Sequence, residues 1–384
     1  MAPITIISYP VKFGLLLIGA WPKSSQIILK RVLWTIALGI SLTSQFWYCA
    51  SYSQTESLPD LLDNLSVILS DLITFIKMII IWFNYRLFSD ILTIVFEDWN
   101  DITLTERNKH VMEDKALLAS RISKFFLGIY SMTCILYAAS NLLFVDDTDE
   151  ELTSNEKKLL FKMRFPFDTT GFPIYEIILI AQFTLEYSIA VITSMLIALF
   201  AALVLHVGSQ IDIICEEIME FSNYYAEERP RAIKNLITKH QRIIYLSENI
   251  KVVFTYVSLV QFFANILVMC FLGFILVHYI GTEGGPTIIA KLFPYYVTVN
   301  CEAFVLCYTG EYLSSKSQNI SQTVYNMLWY KLNTRESRII LLLLLRAQKK
   351  LTLTAGKFVE LSLETFTNMV KASGSYASIL LAVY

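Results

Sequence analysis

Five ionisable side chains fall inside long apolar stretches of this chain: Asp71, Lys77, Glu176, Glu186 and Glu302. An unpaired charge at mid-bilayer costs at least ~3 kcal/mol on insertion scales, so each needs a partner, a cavity or a place at the interface. Glu176 and Lys77 stand near the ends of their stretches and are expected to reach the interface. Asp71 and Glu186 lie deeper. They are expected to face a protein interior, either paired with tyrosine, serine or water, or lining a cavity. Both a structural and a ligand-binding role stay open for them.

Catalysis is poorly served by the remaining residues. The four histidines, His110, His206, His240 and His278, do not pair with Cys, Asp or Glu at metal-ligand spacing. There is no Walker loop, G-x-S-x-G or dinucleotide fingerprint, so no metal, no cofactor and no enzymatic activity are expected. Cys49, Cys134, Cys215, Cys270, Cys301 and Cys307 are scattered, mostly in apolar surroundings, and imply no disulfide framework. Asn64-Leu65-Ser66 is a formal glycosylation sequon that reads better as an unmodified, helix-capping asparagine.

What must position these side chains is a set of membrane helices. The 384 residues are 55% hydrophobic and 14% aromatic with only 17% charged, too little polar surface for a soluble globule of this length. A net charge of −2 without a basic patch excludes a nucleic-acid partner. Apolar runs of the roughly 20 residues that cross a bilayer occur near 32–50, 65–83, 125–145, 174–206, 252–280 and 288–313, with 360–384 as a seventh. Gly14 to Trp21 is too short to span and predicts an interfacial or re-entrant helix.

Lys and Arg give the orientation. The segments on the side of the N-terminus carry 24 of them against five on the other side. The expectation is an all-α membrane protein of seven transmembrane helices, N-terminus cytoplasmic and C-terminus extracellular. A G-protein-coupled receptor has the opposite orientation, and its D-R-Y and N-P-x-x-Y signatures are missing; a metabotropic seven-helix receptor is therefore the weaker alternative.

Helical periodicity continues outside the spans. Ser209 to Val253 alternates apolar and charged residues around Pro230 and predicts two amphipathic extensions of spans four and five. Tyr85 to Ile102 and Thr334 to Leu353 read likewise, and together these extensions form a cytoplasmic anchor bundle. Residues 1–313 then hold spans one to six, and 314–384 an anchor helix and the seventh span. Between spans three and four, an acidic and then basic, aromatic loop predicts a partly ordered lid.

The C-terminal third carries a family likeness. The ending TFTNMVKASGSYASILLAVY has Phe366-Thr367 at its start and Ser375-Tyr376 ahead of an aliphatic run; with the N-terminal VKFGLLLIGAWP, the length and the inverted topology, it resembles the insect odorant receptors. That resemblance implies an odorant-gated, non-selective cation channel: a tetramer in the plasma membrane of a sensory dendrite, its pore lined by the last helix of each subunit. Gustatory receptors share the architecture and are the nearest alternative.

Periodicity in the last helix agrees on its own terms. At 100° per residue, Asn368, Ala372, Ser375, Ile379 and Val383 fall within about 40° of one line. A polar stripe leading to two aliphatic positions suits a wet vestibule closed by a hydrophobic constriction, which blocks ions by dewetting. By resemblance, Ile379 and Val383 match the family's gate positions. Lys371 lies near 80° off that line.

For the ligand, the resemblance implies a small volatile molecule held among the outer halves of spans two, three, four and six. The matching positions are Ile68, Asp71, Leu72 and Phe75; Tyr137 and Asn141; Phe183 and Tyr187; and Tyr295, Tyr296 and Val299. The family's co-receptor has a much longer loop between spans four and five than the about 45 residues here. The resemblance therefore implies a ligand-specific subunit assembling with the co-receptor into a heterotetramer, a homotetramer being the alternative.

Overall fold

The computed structural model describes residues 6–22, 24–101, 105–143, 159–221, 224–282 and 284–384. The chain runs α1 (Tyr9–Leu17), α2 (Ile27–Tyr52), α3 (Leu58–Phe83), α4 (Tyr85–Trp99), α5 (Glu106–Leu143), α6 (Ile174–Glu220), α7 (Arg229–His278) and α8 (Gly285–Asn326). A 3-10 turn (Trp329–Lys331), α9 (Thr334–Ala347), the strands β1 (Thr354–Ala355) and β2 (Val359–Glu360), and α10 (Leu363–Val383) complete it. The fold is all-α, and α2, α3, α5, α6, α7, α8 and α10 stand where the seven spans are expected. Of these, α2, α3, α5, α6 and α7 are long and apolar enough to cross a membrane by length and composition. Polar positions such as Lys291, Glu302 and Glu311 dilute α8, and Lys371 and the serines dilute α10.

Local chemistry sets the helix ends. Ser57 caps α3 by accepting from the Asp60 amide, with Pro59 in the first turn, where its missing N–H costs nothing. Pro230 does the same for α7, which is why the stretch from Ser209 to Val253 divides into the ends of two helices. Asn333 and Glu336 form a reciprocal capping box on α9, and Ser362 caps α10. The expected helix to Leu353 stops at Ala347. A hairpin follows instead, in which Gly356 (φ 60°) and Lys357 (φ 66°) adopt the left-handed turn conformation, and Leu353, Ala355 and Leu361 enter the core.

The centre of the molecule is α6, whose residues 192–209 are all buried, with α1, α5, α7 and α8 packed around it. α1 stands at the expected short helix and packs one face against the protein, while Tyr9 and Phe13 on its other face stay exposed. Val11, Leu15 and Ile18 are buried, and a Cβ on Gly14 would fall 2.8 Å from the Cβ of Met195, so α1 is part of the core. Asn64 is not a cap: it lies buried inside α3 and donates to Cys49 Sγ at 3.2 Å. α8 runs unbroken through residues 313 and 314. The acidic part of the expected lid, 146–158, lies outside the described residues.

One close approach fixes the start of the last helix. A Cβ on Gly310 of α8 would collide with the carbonyl oxygen and Cβ of Leu361, directly before α10. Gly310→Ala therefore forces backbone apart, and overpacking of this kind costs about 1–3 kcal/mol. The expected result is a lowered unfolding midpoint of the purified protein, read by tryptophan fluorescence; an unchanged midpoint would show that the seam yields freely.

Candidate functional site

Five helices each present one two-turn stripe to a common cavity of about 120 Å³. α3 contributes Val67, Ser70, Asp71 and Thr74; α5 contributes Tyr130, Thr133, Cys134 and Tyr137; α6 contributes Glu186, Ile189, Ala190 and Thr193. α7 supplies Gln261, Ala264, Asn265 and Val268, and α8 supplies Tyr295, Thr298, Val299 and Glu302. Every set has the spacing i, i+3, i+4, i+7, which keeps side chains on one helical face. Ile73 and Lys77 complete the α3 side, and Phe161, from the segment before α6, adds a ring to the wall.

Phe161 is held from three directions. Its ring stacks on Tyr137 with centroids 5.5 Å apart. Gln182 Nε2 donates to its carbonyl at 3.2 Å, and Asn141 Nδ2 donates to the neighbouring Leu160 carbonyl at 2.9 Å. Lys291, paired with Asp63 at 2.7 Å, sits 4.2 Å from the Tyr137 ring centroid. The described part of the loop is thus an ordered part of the wall.

Polar groups in the wall fall into two kinds. Most are matched: Thr74 meets Thr193 at 2.7 Å, Thr133 meets Thr298 at 2.9 Å, and Tyr295 donates to the Ser66 carbonyl at 3.0 Å. Lys77 Nζ lies 3.0 Å from Glu302 Oε1, while Tyr130 donates to Glu302 Oε2 at 2.8 Å. This corrects the expectation that Lys77 reaches the interface, since it is 2% exposed.

The other kind is incompletely matched. Asp71 and Glu186 contact each other, and Gln45 Nε2 donates to Asp71 Oδ2 at 3.0 Å and to Glu186 Oε1 at 3.4 Å. Among the described residues no cation pairs with either. Gln261 donates to Asn265 Oδ1, leaving Gln261 Oε1 and Asn265 Nδ2 buried without a partner. By contrast, in a second cavity of about 420 Å³ between α4, α6 and α7 a cation of the wall itself meets two of the carboxylates, since Arg242 bonds Asp98 at 2.8 Å and Glu97 at 3.0 Å.

Four of the eleven expected ligand positions line the first cavity: Asp71, Tyr137, Tyr295 and Val299. Asn141 acts one turn further along the α5 stripe, on the Leu160 carbonyl. Ile68, Leu72 and Phe75 lie on neighbouring faces of α3, and Tyr296 is rotated away from Tyr295 by one position. Phe183 is 38% exposed and stacks on Tyr187, whose hydroxyl accepts from Ser131 rather than lining the space. Sequence reasoning misses α7 altogether. Its signal is Gln261 and Asn265, an amide pair at i, i+4 inside an apolar run.

On α10, Met369, Ser373 and Ala377 are buried against the rest of the chain. Asn368, Ser375, Ile379 and Val383 are exposed on the single chain, Ala372 is half-buried, and Lys371 is exposed. Ser375 donates to the Lys371 carbonyl at 2.9 Å, one turn back in the same helix.

Comparison with known proteins follows the same outline. A family model described as 7tm Odorant receptor matches residues 57–374. Odorant receptor 85b of Drosophila melanogaster is 28% identical over 154 residues, spanning 40% of this chain and 38% of that protein. The putative odorant receptor 92a of the same fly is 28% identical over 44% of this chain and 40% of its own length. These two alignments thus span about two fifths of the relatives they match. Odorant receptor 24a is 24% identical over 97% of this chain and 95% of its own. The structure of the insect olfactory receptor OR5 from Machilis hrabei in complex with eugenol superposes with a TM-score of 0.81 at 19% identity, covering 98% of both chains. A second structure of OR5 gives 0.79 at 18% identity, covering 97% of each.

Proposed function

The chain belongs to the 7tm odorant receptor family, and from that premise we propose that it is the ligand-specific subunit of an odorant-gated, non-selective cation channel in the plasma membrane. Its ligand is a small volatile molecule bound in the cavity between α3, α5, α6, α7 and α8. The observation that carries this reading is the cavity itself: apolar over most of its exposed wall, with polar groups from five helices converging on it, as small-molecule sites are built. A protein of the same fold is in complex with eugenol, which supports a small organic ligand here.

The pore belongs to α10. Asn368, Ala372, Ser375, Ile379 and Val383 line it, and the last two form the gate. Their exposure on the isolated chain supports a surface that is completed by other subunits. Leu341, Leu342 and Leu345 of α9 are likewise uncovered, which supports an anchor that meets neighbouring subunits of a heterotetramer with the co-receptor. The Lys and Arg distribution supports a cytoplasmic N-terminus.

Recording from cells that express this chain with and without the co-receptor, against a panel of volatiles, tests the reading. Evoked cation current that requires this chain is the expected result; a panel without response in either case rejects it. Ala190→Phe places a ring into the cavity from α6 and is expected to raise the half-maximal ligand concentration at least about tenfold, the effect of losing roughly 1.4 kcal/mol of binding. Unchanged sensitivity in that variant would move the ligand elsewhere.

A further inference from the structure

We infer that the ligand of the α3–α8 cavity is a small primary amine, held as its ammonium ion between Asp71 and Glu186; this rests on the cavity being the ligand site. Three carboxyls and one ammonium, that of Lys77, line the wall beside Cys134 and three tyrosines. Lys77 is committed to Glu302 at 3.0 Å, and Tyr130 completes that carboxylate. Asp71 and Glu186 are therefore left with each other and with the amide of Gln45. They are 2% and 7% exposed, and among the described residues no cation reaches either of them.

The unpartnered amide atoms are an independent pointer. Gln261 and Asn265 are 6% and 2% exposed and line the same space, with Gln261 Oε1 and Asn265 Nδ2 left unsatisfied. Unbonded buried polar atoms are the exception in folded proteins and call for a specific cause; here two of them border the cavity. An ammonium group has three donors and no acceptor, which suits the carboxyl oxygens and Gln261 Oε1; Asn265 Nδ2, itself a donor, lies outside that set. The rest of the wall, including Val67, Ile189, Val268 and Val299, takes a hydrocarbon body. At about 120 Å³ the space is of the order that accepts one benzene-sized ring.

Proton bookkeeping favours an amine over a permanent cation. Two carboxyl groups in hydrogen-bonding contact hold one proton between them, since both cannot ionise at that distance. A neutral amine reaches the cavity as its free base. Its nitrogen lone pair takes the shared proton, an N–H bond forming as the O–H bond breaks, and R–NH3+ then lies between two carboxylates. The net charge of amine plus pair is −1 before and after the transfer. No charge has to be carried into the membrane, and the strong interactions formed are charge-assisted.

The test is a matched series of benzylamine, benzyl alcohol and toluene, measured both by calorimetric binding to the purified receptor in nanodiscs and by evoked current in cells. Benzylamine is expected to bind at least about tenfold tighter than benzyl alcohol. Glu186→Gln and Asp71→Asn should bring the two to within about threefold of each other while toluene binding is retained, which reports an intact cavity. An alcohol bound as tightly as the amine, or an amine preference that survives both substitutions together, overturns the inference. If neutral members bind and open the channel while the amine does neither, the inference fails and the receptor reading stands. If benzylamine binds tightly but no volatile evokes current, the channel reading fails and the inference stands.

Discussion

Lys77→Met is expected to destabilise the folded protein by about 3–5 kcal/mol, a large share of the stability of any single domain. The reason is the carboxylate it leaves behind. Glu302 is 5% exposed, and its two oxygens are satisfied by Lys77 on α3 and Tyr130 on α5. Without the lysine, Glu302 must draw in water or take up a proton, either of which undoes the polar link between α3, α5 and α8. The remedy follows from the same physics. Lys77→Met with Glu302→Leu replaces both ions by apolar groups of similar volume, a change that is often neutral. Guanidinium or thermal unfolding of the single and double variants gives the coupling; a double variant no more stable than Lys77→Met would show that the two residues act separately. The pair also has a position relevant to function, because it joins the cavity wall to α8, which packs on α10.

Much of this arrangement is legible in the sequence, and the part that is not has definite physical causes. The long helices follow from hydrophobic runs, and Pro230 marks a helix start because its ring cannot continue a helix. The cost of burying charge singles out Asp71 and Glu186, and both are buried in the cavity wall. Lys77 reads as interfacial because pairing with Glu302, 225 residues away, leaves no local trace. Aromaticity draws attention to Phe75, Phe183 and Tyr187, yet an aromatic ring in a membrane helix serves lipid or core equally well. A better criterion is the polar residue that lipid would not tolerate: the stripes through Asp71, Glu186, Gln261 and Glu302 outline the cavity at i, i+3, i+4, i+7. The hairpin before α10 escapes notice because two-residue strands have no periodicity, and Gly356 is its only mark.

Polar replacement at Ile379 or Val383 is the second large effect, and it is expected in current rather than in stability. Both are exposed on the single chain, at 58% and 83%, on a face of α10 other than the one buried at Met369, Ser373 and Ala377. Their loss therefore removes little packing within the subunit. If they close a pore, the barrier is the dewetting of a narrow apolar ring, and Ile379→Ser or Val383→Ser lowers it by wetting that ring. Ligand-independent current should rise severalfold over the native basal level, with surface expression maintained. Ala377→Ser, on the buried face, serves as the control and should leave basal current unchanged. Ser375 already bonds the Lys371 carbonyl within its own helix, so its hydroxyl alone does not prove contact with water; Ser375→Cys and Ile379→Cys decide that. Modification by an aqueous thiol reagent, faster with agonist at Ile379→Cys, places the stripe along the ion path. Protection of both cysteines in every state would place that face against lipid or a dry helix, and the pore would have to be sought on another element.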